Sequence, residues 1–208
     1  ASERLLGSPL FRSLSAPFTY QHGSAGYKLI IALKYRGYAE VADFIVRTAL
    51  TEGRLQPAVG SIDFILPVPI EDTRLEKRGY NQAALLAPWV PLIHRASFQK
   101  APPLLHLPPL LRKQHAKQNT EHGTSHNGKV QPQNIRRNRK EERIENAQKA
   151  FYLTPHRKRL DELKGKRILL VDDILTTGST LLSLCDLLES CGVREVHVFV
   201  SAVALPRL

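Results

Sequence analysis

The sequence is poor in sulfur and has no long apolar run. It has no methionine and two cysteines, Cys185 and Cys191, six positions apart in one predicted helix. That spacing separates them around the helix and along it, so we expect buried free thiols in a reducing cytoplasm rather than a disulfide. No CxxC pair occurs, which excludes a cysteine zinc site built on that motif in this sequence.

Two kinds of targeting segment are also missing. No stretch approaches the roughly 18 consecutive apolar residues of a membrane helix, and residues 1–4 lack the basic-then-apolar pattern of a secretory signal. We therefore expect a cytoplasmic protein without a membrane span. Because the first residue is not methionine, we also expect the natural chain to begin ahead of Ala1.

Acidic residues are the other deficit. Lysine and arginine number 30 against 19 aspartates and glutamates, a net charge of +11. Such a balance favours polyanionic partners such as nucleic acid, nucleotide phosphates or an acidic membrane surface, although a solvated basic surface is the plainer interpretation. The length of 208 residues and the 42% hydrophobic content indicate one α/β domain with a proper core.

Apolar spacing predicts alternating helices and strands. Helical periodicity covers residues 27–33 and 39–50, residues 62–66 are typical of a buried strand, and residues 81–87 of a short helix. In the second helix we expect one face to hold Val41, Ala42, Ile45, Thr48 and Ala49. We expect residues 150–153 to return the chain to the sheet.

The clearest unit lies near the end of the sequence. The apolar run 168–171 is typical of a buried parallel strand. A polar turn follows, then a helix with Leu181, Leu184, Cys185 and Leu188 on one face, then a second apolar strand at 196–200. This βαβ order predicts a right-handed crossover, with a ligand at the carboxyl edge of the strands.

Residues 172–180, Asp-Asp-Ile-Leu-Thr-Thr-Gly-Ser-Thr, follow the first of these strands. Gly178 permits close backbone approach, and the amides near Thr177–Thr180 lie at a helix N-terminus, which suits a phosphate. Asp172 and Asp173 suit sugar hydroxyls, directly or through a divalent cation. The pattern therefore indicates a ribose 5-phosphate site. The plainer alternative is a strand end followed by a helix cap, and no Walker motif occurs.

Residues 170–180 closely resemble the 5-phosphoribosyl pyrophosphate (PRPP) signature of type I phosphoribosyltransferases. The resemblance implies an α/β fold with a central parallel sheet flanked by helices and a small hood, and Mg²⁺ carried with PRPP. It implies that the carboxylates of Asp172 and Asp173 bind the ribose hydroxyls. It also implies that PRPP itself holds the Mg²⁺, and that any additional protein ligand would be one of these two carboxylates. It assigns the 5-phosphate to Thr176, Thr177, Gly178, Ser179 and Thr180.

Further elements are similar to those of the ComF family, which is linked to natural competence and the uptake of single-stranded DNA. They are Leu-Lys-Tyr-Arg-Gly at 33–37, Pro-Val-Pro at 67–69, Arg-Gly-Tyr-Asn-Gln at 78–82 and Glu-Arg at 142–143. ComF-like proteins often begin with a cysteine zinc finger, and its absence is expected if the sequence is truncated before Ala1. We assign residues 1–25 to an N-terminal or hood segment of a single domain, 1–208.

The turn after the first strand supplies further candidates. By resemblance, Pro67 and Val68 belong to the turn that touches the pyrophosphate. Arg74, Lys77 and Arg78 are expected to neutralise it, or else they form a solvent-facing basic helix. Asn81 and Gln82 either begin a helix or touch the ligand.

Residues 112–143 are basic, rich in glutamine and asparagine, and predicted to be a flexible loop. The loop is interpreted as a lid over the site, as a track for single-stranded DNA, or as a disordered insert. Three functions follow: a phosphoribosyltransferase whose acceptor the sequence does not identify, a DNA-handling competence protein without turnover, and a nucleotide-sensing regulator.

Overall fold

The computed structural model describes residues 5–55, 62–92, 111–113, 151–153 and 161–205. The strands are β1 Phe11–Ser15, β2 Phe18–Tyr20, β3 Phe64–Pro67, β4 Leu111–Lys113, β5 Phe151–Leu153, β6 Arg167–Leu175 and β7 Glu195–Ala204. The helices are α1 Ala25–Arg36, α2 Ala39–Thr51, α3 Asp72–Arg78, α4 Gln82–Leu86 and α5 Ser179–Ser190.

Five strands form one sheet in which every pairing is parallel. Strand β6 lies between β3 and β7, and both β1 and β2 pair with the outer side of β7. The predicted α/β fold with a central parallel sheet flanked by helices is confirmed. Residues 11–20, within the segment assigned to the hood, thus contribute two strands to this sheet.

Both faces of the sheet are covered, which explains the unbroken apolar run in β6. Ile168 and Leu170 pack on the side of α5, whereas Leu169 and Val171 pack on the side of α2 and α4. Alternate residues of a strand point to opposite faces, so a strand buried on both sides needs apolar residues at every position.

Local sequence explains where the helices begin and end. The Ser24 side chain accepts a hydrogen bond from Tyr27 N at the start of α1, and Gly37 ends that helix with a φ of 61°. Such a left-handed residue favours glycine because it has no Cβ. The buried face of α2 holds Val46 and Leu50 with Ala42, Ile45 and Ala49. The placement of Thr48 on that face was wrong, because the buried face of the helix is centred nearer to Val46 and leaves Thr48 at its edge.

Two expectations about strands are corrected. Residues 151–153 do not return to the central sheet, since they pair antiparallel with residues 111–113 in a separate ribbon. Arg112 and Lys113 therefore lie in a strand rather than in the basic loop, the rest of which, 114–143, lies outside the described residues. Strand β6 also continues to Leu175, so Asp172 and Asp173 lie inside it and not in a turn.

Both cysteines are free thiols, as expected, but only Cys185 is buried, because Cys191 is partly exposed. Burial raises the pKa of the Cys185 thiol to about 12. A thiol that stays protonated at neutral pH is a poor nucleophile. Within the described part of the chain, no helix is long and apolar enough to cross a membrane.

Candidate functional site

The site lies at the carboxyl edge of the parallel sheet, where β3 and β6 end side by side. Pro67 pairs with Val171, and Val68 N donates to Val171 O at 2.8 Å. This register sets the Pro-Val-Pro turn against the end of β6 that carries the two aspartates. The parallel pairing of β3 with β6 therefore confirms the prediction that these two distant motifs lie at the same edge of the sheet.

A cavity of about 290 Å³ lies between them. Its walls are the turn after β3, helix α3, the start of α4, the end of β6, the turn after β6, the start of α5 and one residue of α1. They carry Lys34, Val68, Pro69, Ile70, Glu71, Arg74, Arg78, Gln82, Asp172, Asp173, Ile174, Thr176 and Thr180. The lining holds three cationic and three carboxylate side chains, so the cavity carries charges of both signs.

The two carboxylates have different surroundings. Asp172 is partly exposed, and its Oδ1 accepts a hydrogen bond from Asp173 N at 2.8 Å. Asp173 is 8% exposed, and its Oδ2 lies 3.2 Å from Lys34 Nζ. A largely buried carboxylate needs such a partner, because desolvation of an unpaired charge is costly. A hydroxyl-bearing ligand at Asp173 would therefore also meet the Lys34 ammonium.

The turn after β6 forms a small hollow of about 40 Å³, lined by residues 174–181 and Asp172. Gly178 has a φ of 79° and precedes α5. The Thr177 and Ser179 hydroxyls lie 2.9 Å apart. The first-turn amides of α5 have no intrahelical acceptor, so the hollow presents N–H groups and hydroxyls together. These are the donors that a phosphate group requires. Thr176, Thr177, Gly178, Ser179 and Thr180 all line it.

The basic residues of α3 are divided between two cavities. Arg74 and Arg78 line the cavity with the aspartates. Arg74 Nε lies 3.4 Å from Glu71 Oε2, and its side chain is 64% exposed. Lys77 does not line that cavity. It lines an adjoining one of about 400 Å³ with Tyr35 and Tyr80, and Lys34, Arg74 and Arg78 line both. Pro67 lines neither and ends β3, whereas Val68 lines the first.

Two adjacent amides at the start of α4 differ sharply. Asn81 Nδ2 donates to Val68 O at 2.9 Å, and Asn81 Oδ1 accepts from Ala83 N at 3.0 Å. Asn81 therefore ties the turn after β3 to α4. The Gln82 side chain is 2% exposed, and its Nε2 has no hydrogen-bond partner in the described structure. Leaving such a donor unpaired costs about 1–3 kcal/mol.

Lys34 is the site residue that sequence reasoning missed. The Leu-Lys-Tyr-Arg-Gly element was recognised, but nothing within it indicates contact with β6. The helical spacing of α1 buries Ile30 and Leu33, and a residue next to Leu33 lies at the border of that face. A basic residue at the border of an apolar face was the available signal, although many surface lysines share it.

No group of three or more histidine, cysteine, aspartate or glutamate residues in the described ranges could hold a metal ion by itself. Asp172 and Asp173, beside the hollow that follows β6, fit Mg²⁺, because this ion commonly uses one or two carboxylates, several waters and substrate phosphates.

Known proteins share parts of this sequence. Residues 113–205 match the family model "Phosphoribosyl transferase domain". Competence protein F of Haemophilus influenzae is 32% identical over 137 residues, 65% of this chain and 48% of that protein. Amidophosphoribosyltransferase of Homo sapiens is 45% identical over 42 residues, 20% of this chain and 8% of that protein. The corresponding protein of Rattus norvegicus is 43% identical over 42 residues.

Each of these matches covers part of the proteins concerned. The chain spans about half the length of competence protein F and less than a tenth of the amidophosphoribosyltransferases. The family match includes residues 172–180 and excludes Lys34, Arg74 and Arg78.

Proposed function

We propose that this chain is a ComF-like protein of the type I phosphoribosyltransferases, that it binds PRPP with Mg²⁺ at the carboxyl edge of β6, and that it transfers the phosphoribosyl group of PRPP. The observation that carries the proposal is the adjacency of three parts: the phosphate-type hollow of residues 174–181, the paired aspartates, and the cations of the neighbouring wall. PRPP requires these parts in that order, because its 5-phosphate, ribose hydroxyls and pyrophosphate follow one another.

Binding would use each part according to its chemistry. The hydroxyls and amides of residues 176–180 donate to the 5-phosphate oxygens. Asp172 and Asp173 accept hydrogen bonds from the ribose hydroxyls. Arg74 and Arg78 face the pyrophosphate and stabilise its charge, and Lys77 attracts it from the adjoining cavity. Mg²⁺ would be held mainly by PRPP oxygens, with the two carboxylates in reach, and would offset the charge of the leaving group.

Transfer would follow from holding the ribose while the pyrophosphate departs. The bond between the anomeric carbon and the pyrophosphate oxygen breaks, the pyrophosphate keeps the electron pair, and the acceptor forms the new bond to the anomeric carbon. The acceptor's proton passes to solvent or to the pyrophosphate. Fixed donors and cations lower the barrier because they are oriented before the charge develops.

A second candidate function is the handling of single-stranded DNA in natural competence, without turnover. The name of competence protein F supports the biological setting. The adjoining cavity supports the chemistry, because it combines Lys34, Arg74, Lys77 and Arg78 with the rings of Tyr35 and Tyr80. Cations and aromatic rings are the groups that bind a single strand. A regulator that binds PRPP without turnover is the third possibility.

The decisive experiment is calorimetric titration of PRPP with Mg²⁺ into the wild-type protein and into Asp172→Asn/Asp173→Asn. Asparagine keeps the Oδ1 acceptor for Asp173 N, so the fold should persist. Each hydrogen bond to a charged group contributes about 1.5–3 kcal/mol, so the double variant should bind at least about 100-fold more weakly. Asp43→Asn, on α2 in an ion pair with Arg47, is the matched control and should bind as wild type does.

Each result separates the candidates. Saturable binding that only the double variant loses supports the PRPP site, and release of pyrophosphate with a nucleobase then identifies an enzyme. Binding without turnover under any acceptor favours the regulator. No binding by folded wild-type protein would overturn the proposal and leave the DNA function as the leading explanation.

A further inference from the structure

Gln82 is the most unusual polar residue of the site. Its side chain lines the cavity that also holds Asp172 and Asp173. It is 2% exposed, and its Nε2 has no hydrogen-bond partner in the described structure. Buried polar atoms are paired in the great majority of cases, so an unpaired donor on a residue that lines a cavity needs an explanation.

The position of this donor is fixed by its neighbours. Asn81 uses both ends of its amide, holding Val68 O and Ala83 N. Ala83 and Leu86 are buried, and Leu86 packs in the core on the side of α2. The start of α4 is therefore anchored on both sides. Gln82 lines the cavity between the turn after β3 and the end of β6.

Two other buried side-chain atoms without a hydrogen-bond partner in the described residues, His197 Nε2 and Ser201 Oγ, lie on β7 and do not line the cavity. Gln82 differs from them because it lines the cavity where the ligand would lie. An amide N–H donates only to an acceptor, and the acceptors of a phosphorylated sugar are its phosphate and hydroxyl oxygens.

We propose that Gln82 is a ligand-binding residue whose side-chain amide donates to a phosphate or ribose oxygen of PRPP. This inference rests on the proposed function and adds a contact to it. The protein keeps an unpaired donor in its ligand-free state, and the ligand supplies the acceptor on binding. Because Asn81 anchors the start of α4, little backbone ordering is needed when the bond forms.

The test combines stability and affinity in the same variants. Gln82→Met keeps the length of the side chain and removes the donor. The ligand-free variant should melt at the same temperature as wild type or higher, because Nε2 makes no hydrogen bond in the described structure and the substitution removes a buried unpaired donor. Its affinity for PRPP with Mg²⁺ should fall about tenfold or more, as expected for a lost bond to an anionic oxygen. Gln82→Glu should lose more affinity, because its carboxylate repels phosphate.

The matched control is Gln21→Met, the same substitution at an exposed position that lines neither cavity. It should change neither melting temperature nor affinity. A structural role for Gln82 would instead lower the melting temperature of the ligand-free Gln82→Met protein, and that result would overturn the inference.

The remaining outcomes separate the two proposals. If wild type binds PRPP and Gln82→Met binds it equally well, the inference is wrong and the proposed function stands. If wild type does not bind PRPP, the proposed function fails and the inference fails with it.

Discussion

Replacing Lys34 by methionine removes the ammonium group that lies 3.2 Å from Asp173 Oδ2. The methionine keeps most of the apolar stem, so the change tests the charge rather than the packing. The side chains of Lys34 and Asp173 are 24% and 12% exposed, between a surface pair and a buried one. The loss should therefore be larger than for a typical exposed ion pair.

The magnitude follows from distance and exposure together. At 3.2 Å the attraction is about 5 kcal/mol for an effective dielectric of about 20, and about 1 kcal/mol in bulk water. Desolvation and side-chain ordering offset much of this. Exposed pairs contribute about 0.2–1 kcal/mol, whereas removing one partner of a fully buried pair costs about 3–5 kcal/mol. We expect Lys34→Met to cost about 1–2 kcal/mol, with a coupling energy of about 1 kcal/mol.

The assay is a double-mutant cycle in urea with Lys34→Met, Asp173→Asn and both changes together. The control cycle uses Asp43 and Arg47, an i,i+4 pair at the shorter distance of 2.9 Å, with side-chain exposures of 27% and 58%. That pair should couple by only about 0.3–0.5 kcal/mol. The exposure of the paired side chains, rather than the distance between their charged atoms, would then determine the coupling energy. A coupling energy at Lys34–Asp173 no larger than that of the control would refute the reasoning.

Two further predictions concern packing and pH. A Cβ at Gly26 would overlap the Thr19 carbonyl oxygen and lie 2.9 Å from Phe18 Cβ, so Gly26→Ala should lower urea stability by about 1–3 kcal/mol despite its better helix propensity. Equal stability would contradict this packing. Burial lowers the pKa of His197 below its usual 6.5, so the unfolded chain binds the proton first. The stability that this residue contributes is present above pH 6.5 and falls as the pH drops toward the folded pKa. Between pH 7.5 and pH 5, wild type should therefore lose more free energy of unfolding than His197→Gln does. A pH-independent difference would contradict the assignment.

Local sequence was enough to predict the turn between β6 and α5 and the two aspartates that precede it. An apolar strand, two carboxylates, a glycine and an amphipathic helix follow one another without interruption, so their arrangement depends on short-range geometry alone. The strand boundary was less predictable. Asp172, Ile174 and Leu175 continue the ladder with β7, because a neighbouring strand can extend pairing beyond the apolar run.

Local sequence patterns did not predict which distant segments pair as strands. Residues 151–153 have the composition of a sheet strand, and only their partner, residues 111–113, decides that they form a separate antiparallel ribbon. An apolar run indicates that a strand will be buried, but it does not name its neighbour.

The sequence by itself determined the fold class, the carboxyl-edge location of the candidate site and the turn that follows β6, because each depends on residues close together in the chain. Tertiary structure alone decided that Lys34 reaches Asp173, that Gln82 lines the same cavity with an unpaired Nε2, and that Lys77 lines the adjoining one. These positions depend on how α1, α3 and α4 are placed around the ends of β3 and β6. A small rotation of a helix moves a side chain from one cavity to another, and no local pattern records that rotation.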